Sequence, residues 1–82
     1  MEKRVALIGI IIENPDSISR INDILHEYSN EIIARLGVPY RERDVCIISI
    51  VADAPQDKIS TLSGKLGRLD GVNVKTMYTK EK

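Results

Sequence analysis

The sequence predicts an α+β sandwich: a four-stranded antiparallel sheet with two helices on one face. Two short runs, Val5–Ile12 (VALIGIII) and Val45–Ala52 (VCIISIVA), are apolar throughout and rich in β-branched residues, as central strands are. Each is followed by a proline and then by apolar residues at three- and four-residue spacing, the pattern of a helix with one buried stripe. The two units also echo one another. Pro15, Ile18, Ile21 and Leu25 reappear as Pro55, Ile59, Leu62 and Leu66, about half the chain later.

The first strand, Val5–Ile12, is stopped by Glu13-Asn14-Pro15. Asn14 suits a helix N-cap, Pro15 the first helical position, and Asp16 the positive end of the helix dipole. Ile18, Ile21, Leu25 and Tyr28 then form one stripe of about three turns, with Asp23, His26, Glu27 and Asn30 off it. Ile32–Leu36 begins a second strand that Gly37 and Pro39 interrupt. Proline lacks the donor a central strand needs, so an edge strand bulged near Gly37 is expected. Arg43-Asp44 marks the turn into Val45–Ala52, and Asp53-Ala54-Pro55 is expected to open the second helix as the first was opened. Ile59, Leu62 and Leu66 carry its buried stripe, Gly67 is placed as its terminator, and Leu69 returns to the core. Asp70-Gly71 turns the chain into Val72–Tyr78, whose weak alternation suits a half-exposed edge strand. The polar tail Thr79-Lys80-Glu81-Lys82 is expected to fray. Strand, helix, strand, strand, helix, strand is the ferredoxin-like order of two split β-α-β units, with the first and third strands central. Residues 1–82 are read as a single domain.

Composition narrows the function classes. Hydrophobic residues are 43% and charged residues 29%, an ordinary soluble balance. Twelve Lys plus Arg against 12 Asp plus Glu leaves no net pull toward nucleic acid or anionic lipid. The N-terminal apolar run is too short for a membrane span and no small-residue cleavage site follows, so a cytoplasmic protein is expected. Cys46 is the only cysteine, which excludes an intramolecular disulfide, and its apolar run predicts a buried reduced thiol.

With both helices on one side, the opposite sheet face should be polar, and it is not. Val5, Leu7 and Ile11 point one way along the first strand, and Ala6, Ile8, Ile10 and Ile12 the other. Val45, Ile47 and Val51 stand in the same way against Cys46, Ile48, Ile50 and Ala52. Leaving half a dozen such side chains wet forgoes on the order of 10 kcal/mol, as much as a whole domain's usual stability. A homo-oligomer is therefore predicted, through stacked sheet faces, paired edge strands, or both.

Candidate sites are few. Ser63-Gly64-Lys65 resembles the end of a phosphate loop, but such a loop precedes a helix and continues with Ser or Thr. Here Leu66 follows, and the segment lies at a helix end where carbonyls repel phosphate. It reads as structural punctuation. One histidine and one cysteine cannot build a zinc or nickel site of several such ligands in one chain, and His26 is read as sitting on a solvated helix face. No metal or other cofactor is predicted. RNA-binding modules with this strand order stack bases on strand aromatics, and none of Tyr28, Tyr40 and Tyr78 falls on a central strand. Acyl phosphate hydrolysis would require an arginine in a Gly-rich loop where Glu13-Asn14-Pro15 stands. An enzyme is not predicted. The remaining concentration of polar chemistry is Arg35, Tyr40, Arg41 and Arg43 in RLGVPYRER, which could grip a carboxylate or phosphate, or simply keep an edge strand soluble.

The segments RLGVPYRERDVCIISIVADAP and DKISTLSGKLGRLDGVNVK resemble the small regulators associated with iron-only hydrogenase systems, essentially over the full length of the chain. That family is similar in fold to ACT domains and to the C-terminal ligand-sensing domain of the nickel-responsive repressor. Such domains oligomerise and bind small effectors at subunit interfaces, often near the loop after the first strand. The resemblance thus implies Asn14 and its neighbours, beside the arginine edge, as ligand-binding residues. The repressor's cluster of histidines and cysteine is missing, so nickel sensing is not implied. Its ribbon-helix-helix arm is missing too, which with zero net charge argues against direct nucleic-acid binding by this chain. The expectation is a non-enzymatic, ACT-like regulatory module of the hydrogenase system that senses a small ligand at a subunit interface. The alternative is a ligand-free module that docks a regulator or a hydrogenase maturation enzyme.

Overall fold

The computed structural model describes residues 2–80. Strands β1 (Lys3–Ile12), β2 (Ile32–Tyr40), β3 (Val45–Pro55) and β4 (Val72–Tyr78) and helices α1 (Ile18–Glu27) and α2 (Gln56–Gly67) follow in the expected order. Every strand pairing is antiparallel and the sheet order is β2-β3-β1-β4. The two wholly apolar strands are the central ones, hydrogen-bonded to a neighbour along both edges, and the helices cover one of their two faces.

The core lies between the sheet and the helices. Ala6, Ile8, Ile10 and Ile12 of β1 and Ile48, Ile50, Ala52 and Ala54 of β3 point toward the helices and are buried. Ile21, Ile24 and Leu25 of α1 and Ile59, Leu62 and Leu66 of α2 close over them. In α1 the buried stripe includes Ile24, which the sequence reading left out, while Ile18 is only partly covered. Among sheet strands β2 is the outlier, exposed from Ile33 through Tyr40 because neither helix reaches over it.

Three local expectations are corrected. The bulge in β2 falls at Ile33, not near Gly37: Ile32 pairs with Ala52 and Ala34 with the next residue, Val51. Gly37 and Pro39 stay in regular register opposite Ile48 and Cys46, which an outermost strand permits. Asp53-Ala54-Pro55 does not open α2. These residues continue β3, paired with Val5, Arg4 and Lys3, and Asp53 N–H donates to the Glu31 carbonyl at 2.9 Å. The ladder satisfies their backbone groups, so the helix starts only at Gln56. Gly67 is the last residue of α2, as expected, though with no left-handed turn there; the positive-φ glycine is Gly71, at 68°. In the tail, Thr79 is held rather than frayed. Its N–H donates to the Val5 carbonyl at 3.0 Å, and the Arg4 guanidinium, stacked 4.8 Å from the Tyr78 ring centre, donates to its carbonyl at 2.6 Å. Glu81 and Lys82 lie outside the described residues.

Candidate functional site

Beyond Ile12 the chain turns through Glu13 and Asn14 into a single 3-10 turn, Pro15–Ser17, which leads directly into α1. Asn14 caps that turn, its Oδ1 accepting from Asp16 N–H at 3.0 Å, while its Nδ2 donates to the Asp70 carboxylate at 2.6 Å. Ser17 is the buried polar residue of the core, and its Oγ donates to the Asp70 carbonyl at 2.7 Å. Glu13 N–H donates to the Gly71 carbonyl at 2.7 Å. Three contacts therefore stitch the loop after β1 to the loop before β4.

At the other side of the same sheet end, β2 and β3 are joined by a 3-10 turn, Arg41–Arg43, closed by Asp44. Asp44 adopts φ 52°, a left-handed conformation that aspartate tolerates better than most residues, and its N–H donates to the Arg41 carbonyl at 3.2 Å.

Between these two stitched ends lies a cavity of about 440 Å³. Ile12, Pro15 and Ile18 form one wall, and Pro39, Tyr40, Val45 and Cys46 the other. Its charged lining consists of Arg41, Glu13 and Asp44. An apolar pocket with a few placed polar groups is the usual shape of a small-molecule site. A guanidinium can take a carboxylate or phosphate through two parallel hydrogen bonds, and the carboxylates can meet an ammonium or hydroxyl group. Cys46 is half-buried with a free thiol facing this cavity, less enclosed than its apolar run suggested.

The sequence-predicted ligand residues are thus divided. Tyr40 and Arg41 line the cavity; Arg43 shares their turn but is exposed outside the lining. Asn14 sits between the lining residues Glu13 and Pro15, with its amide already engaged on both sides. Arg35 lies elsewhere. It stands roughly 20 Å along β2 from Arg41, at about 3.3 Å per residue, and donates to Asn22 Oδ1 at 3.1 Å. It borders a smaller cleft of about 260 Å³ together with His26 and Leu25. The three guanidiniums do not converge on one ligand. The residues missed from sequence are Ile12, Ile18 and Cys46, whose apolar runs read only as core, and Asp44, which read only as turn; Glu13 and Pro15 are among the Asn14 neighbours that the resemblance implied.

Ser63-Gly64-Lys65 is accounted for structurally. Lys65 Nζ lies 4.0 Å from the Glu27 carboxylate and 5.2 Å from the Tyr28 ring centre, and the Ser63 hydroxyl shares a 2.8 Å bond with that of Thr76. Among the described residues no group of three or more His, Cys, Asp or Glu is placed to hold a metal ion, and no helix is long and apolar enough to cross a membrane.

Residues 4–76 match the model of the TM1266-like family, described as "Iron-only hydrogenase system regulator, putative". The solved structure of the uncharacterized protein TM1266 from Thermotoga maritima is 39% identical, covers 96% of this chain and 100% of its own, and superposes with a TM-score of 0.92. A crystal structure of an unknown protein from Galdieria sulphuraria shares the fold alone, at 10% identity and a TM-score of 0.70 over 99% of this chain and 48% of its own. Curated proteins of Saccharolobus islandicus strain L.S.2.15 and Saccharolobus solfataricus strain P2, each named "Putative nickel-responsive regulator", are 27% identical over 66 residues, 80% of this chain and 49% of theirs. The chain spans about half the length of the curated relatives it matches.

Proposed function

The chain belongs to the TM1266-like family of iron-only hydrogenase system regulators, and from that premise we propose that it is a non-enzymatic, single-domain regulatory module of the cytoplasm that oligomerises and senses a small anionic ligand where subunits meet. The observation that carries this reading is the position of the cavity. Tyr40 and Val45 line it and also stand in the outermost row of the sheet face that the helices leave bare. A subunit seated on that face would border the cavity, so an occupant could favour one arrangement of subunits over another. Differential affinity of this kind is what regulation by a ligand requires.

Arg41 is assigned to the ligand's carboxylate or phosphate, Tyr40 to its apolar body together with Ile12 and Ile18, and Glu13 or Asp44 to a donor group at its other end. Nickel is not the proposed ligand. The chain's one histidine, His26, borders a different cleft from its one cysteine, Cys46.

Thermal unfolding in the presence of amino acids, nucleotides, other phosphorylated metabolites and metal salts tests the reading. One carboxylate- or phosphate-bearing class should raise the melting temperature, since a ligand at a hundred times its dissociation constant adds about 2.7 kcal/mol. Arg41→Ala should weaken that ligand by roughly ten- to a hundred-fold, the loss of a charge-assisted hydrogen bond. Exposed as it is, Arg41 can be removed without changing unliganded stability. No stabilising condition, or equal stabilisation of the variant, would count against the proposal.

The exposure of β2 from Ile33 through Tyr40 favours a second reading, a ligand-free module whose oligomer docks another regulator or a maturation enzyme. A stoichiometric partner retained in pull-downs, with no ligand-dependent shift, would identify it.

A further inference from the structure

We infer that the helix-free face of the sheet packs on the same face of a second copy, about a two-fold axis over Ser49, with Leu36 of each copy filling the depression above the partner's Gly9. This rests on the oligomeric part of the reading above and not on its ligand.

Strand register composes the face. Ala34, Val51, Leu7 and Met77 form one row across it, Leu36, Ser49, Gly9 and Lys75 the next, and Val38, Ile47, Ile11 and Asn73 the third. Leu36 is 64% exposed and Ile11 44%, values foreign to side chains of this kind in a finished interior. With Val5 and Tyr40 these side chains present on the order of 700 Å² of apolar surface, beyond the few hundred typical of a monomer's patch and close to one partner's share of a standard interface.

The apolar character is not even over the four strands. It is continuous over β2, β3 and β1 apart from Ser49 and Gly9, and on β4 it persists at Met77 but gives way to Asn73 and Lys75 in the other two rows. The continuous part of the patch is centred on its middle strand, β3, and a two-fold axis along β3 covers all three strands while placing β4, with Asn73, Lys75 and Met77, at the rim. Ser49 is the polar side chain at that centre. On a two-fold axis it meets its own copy, and a hydroxyl, being both donor and acceptor, can bond to itself across the axis.

Gly9 supplies a separate argument. It lies inside a central strand, where glycine weakens pairing, and it does not have the positive φ that would require glycine. A Cβ built on it would meet nothing closer than the Lys75 carbonyl oxygen at 3.9 Å, an ordinary contact. Nothing within the chain calls for glycine there, and a glycine of that kind marks the close approach of another layer. The proposed axis supplies it. Rotation about β3 carries β2 of one copy over β1 of the other and brings Leu36 above Gly9. The same rotation carries the partner's Tyr40 toward the Glu13 end of β1, beside the cavity. The edges are poorer candidates, since β2 is bulged at Ile33 and lacks a donor at Pro39, and edge pairing would leave the apolar face wet.

Sedimentation equilibrium of the full chain at micromolar concentration tests the arrangement. A dimer is expected. Gly9→Leu should keep the far-UV circular dichroism of the parent and weaken the dimer by roughly a hundred-fold, because the side chain fits the subunit but occupies the partner's place. Adding Leu36→Gly to Gly9→Leu exchanges the large and small partners and should recover at least a tenth of the parent association constant. A monomeric parent would overturn the inference and return the face to another kind of partner. A dimer indifferent to Gly9→Leu would overturn this interface while leaving the oligomeric reading standing through the edges.

Discussion

Ile10→Ala should lower the melting temperature by roughly 10–30 °C, while Ile11→Ala, one residue along the same strand, should leave the dilute subunit almost unchanged. Ile10 is fully buried beneath the helices, paired with Ile48 on β3 and Val74 on β4. Truncating a buried isoleucine to alanine removes its transfer free energy and leaves a void, at a cost of about 2–5 kcal/mol. A chain this small has only about 5–15 kcal/mol of stability, and each kilocalorie lost moves its midpoint by about 4–8 °C. Ile11 points to the bare face and is 44% exposed, so within one subunit it loses little by truncation. Its loss should appear in association instead. Thermal scans at two protein concentrations separate the effects: the Ile10→Ala deficit persists at both, and the Ile11→Ala deficit appears only where the parent is associated. Equal destabilisation of the dilute subunit by both substitutions would contradict the division of β1 into a covered and a bare face.

Gly71→Ala should be nearly as damaging, at about 2–4 kcal/mol by denaturant titration. Two penalties coincide at this position. The backbone is left-handed at φ 68°, which costs an ordinary residue about 1–2 kcal/mol. The added Cβ would also lie 2.6 Å from Asn14 Cβ and 2.9 Å from its backbone nitrogen, so one of the two loops must move, as in an overpacked core. Gly71→Asn separates the causes. Asparagine accepts positive φ, so if conformation alone mattered it would restore the parent midpoint. Because the collision remains, it should stay well below. The displaced loop carries Pro15 toward or away from the cavity, so ligand-induced stabilisation should fall in both variants, though neither touches the site directly.

The plan of the fold was legible because two all-apolar strands and two amphipathic helices leave few other ways to bury themselves. Where local signals competed with pairing, pairing won. Asp53-Ala54-Pro55 looks like a helix start, yet three extra ladder positions opposite Lys3, Arg4 and Val5 hold it extended. Gly37 looks like a bulge, yet the extra residue is Ile33, and Gly37 fits the regular ladder opposite Ile48 without strain. The candidate site was half legible. Tyr40 and Arg41 stood out as polar chemistry on an edge, whereas Arg35 looked equally suitable and faces a different cleft. Arg35 stands in regular register opposite Ile50, five residues from Tyr40 and on the other face of β2, so it meets Asn22 of α1 instead of the cavity.

By itself, then, the amino-acid order determined the elements, their succession, which strands lie inside, and that neither side of those strands is fit for water. Only the tertiary structure decided which side the helices take, since both sets of side chains are equally apolar and hydrophobicity does not distinguish them. It alone also brought Ile12, Ile18, Arg41 and Cys46 around one cavity, because that meeting depends on strand register across distant parts of the chain. Local composition fixes what a residue can bury; neighbours far away in sequence fix what it touches.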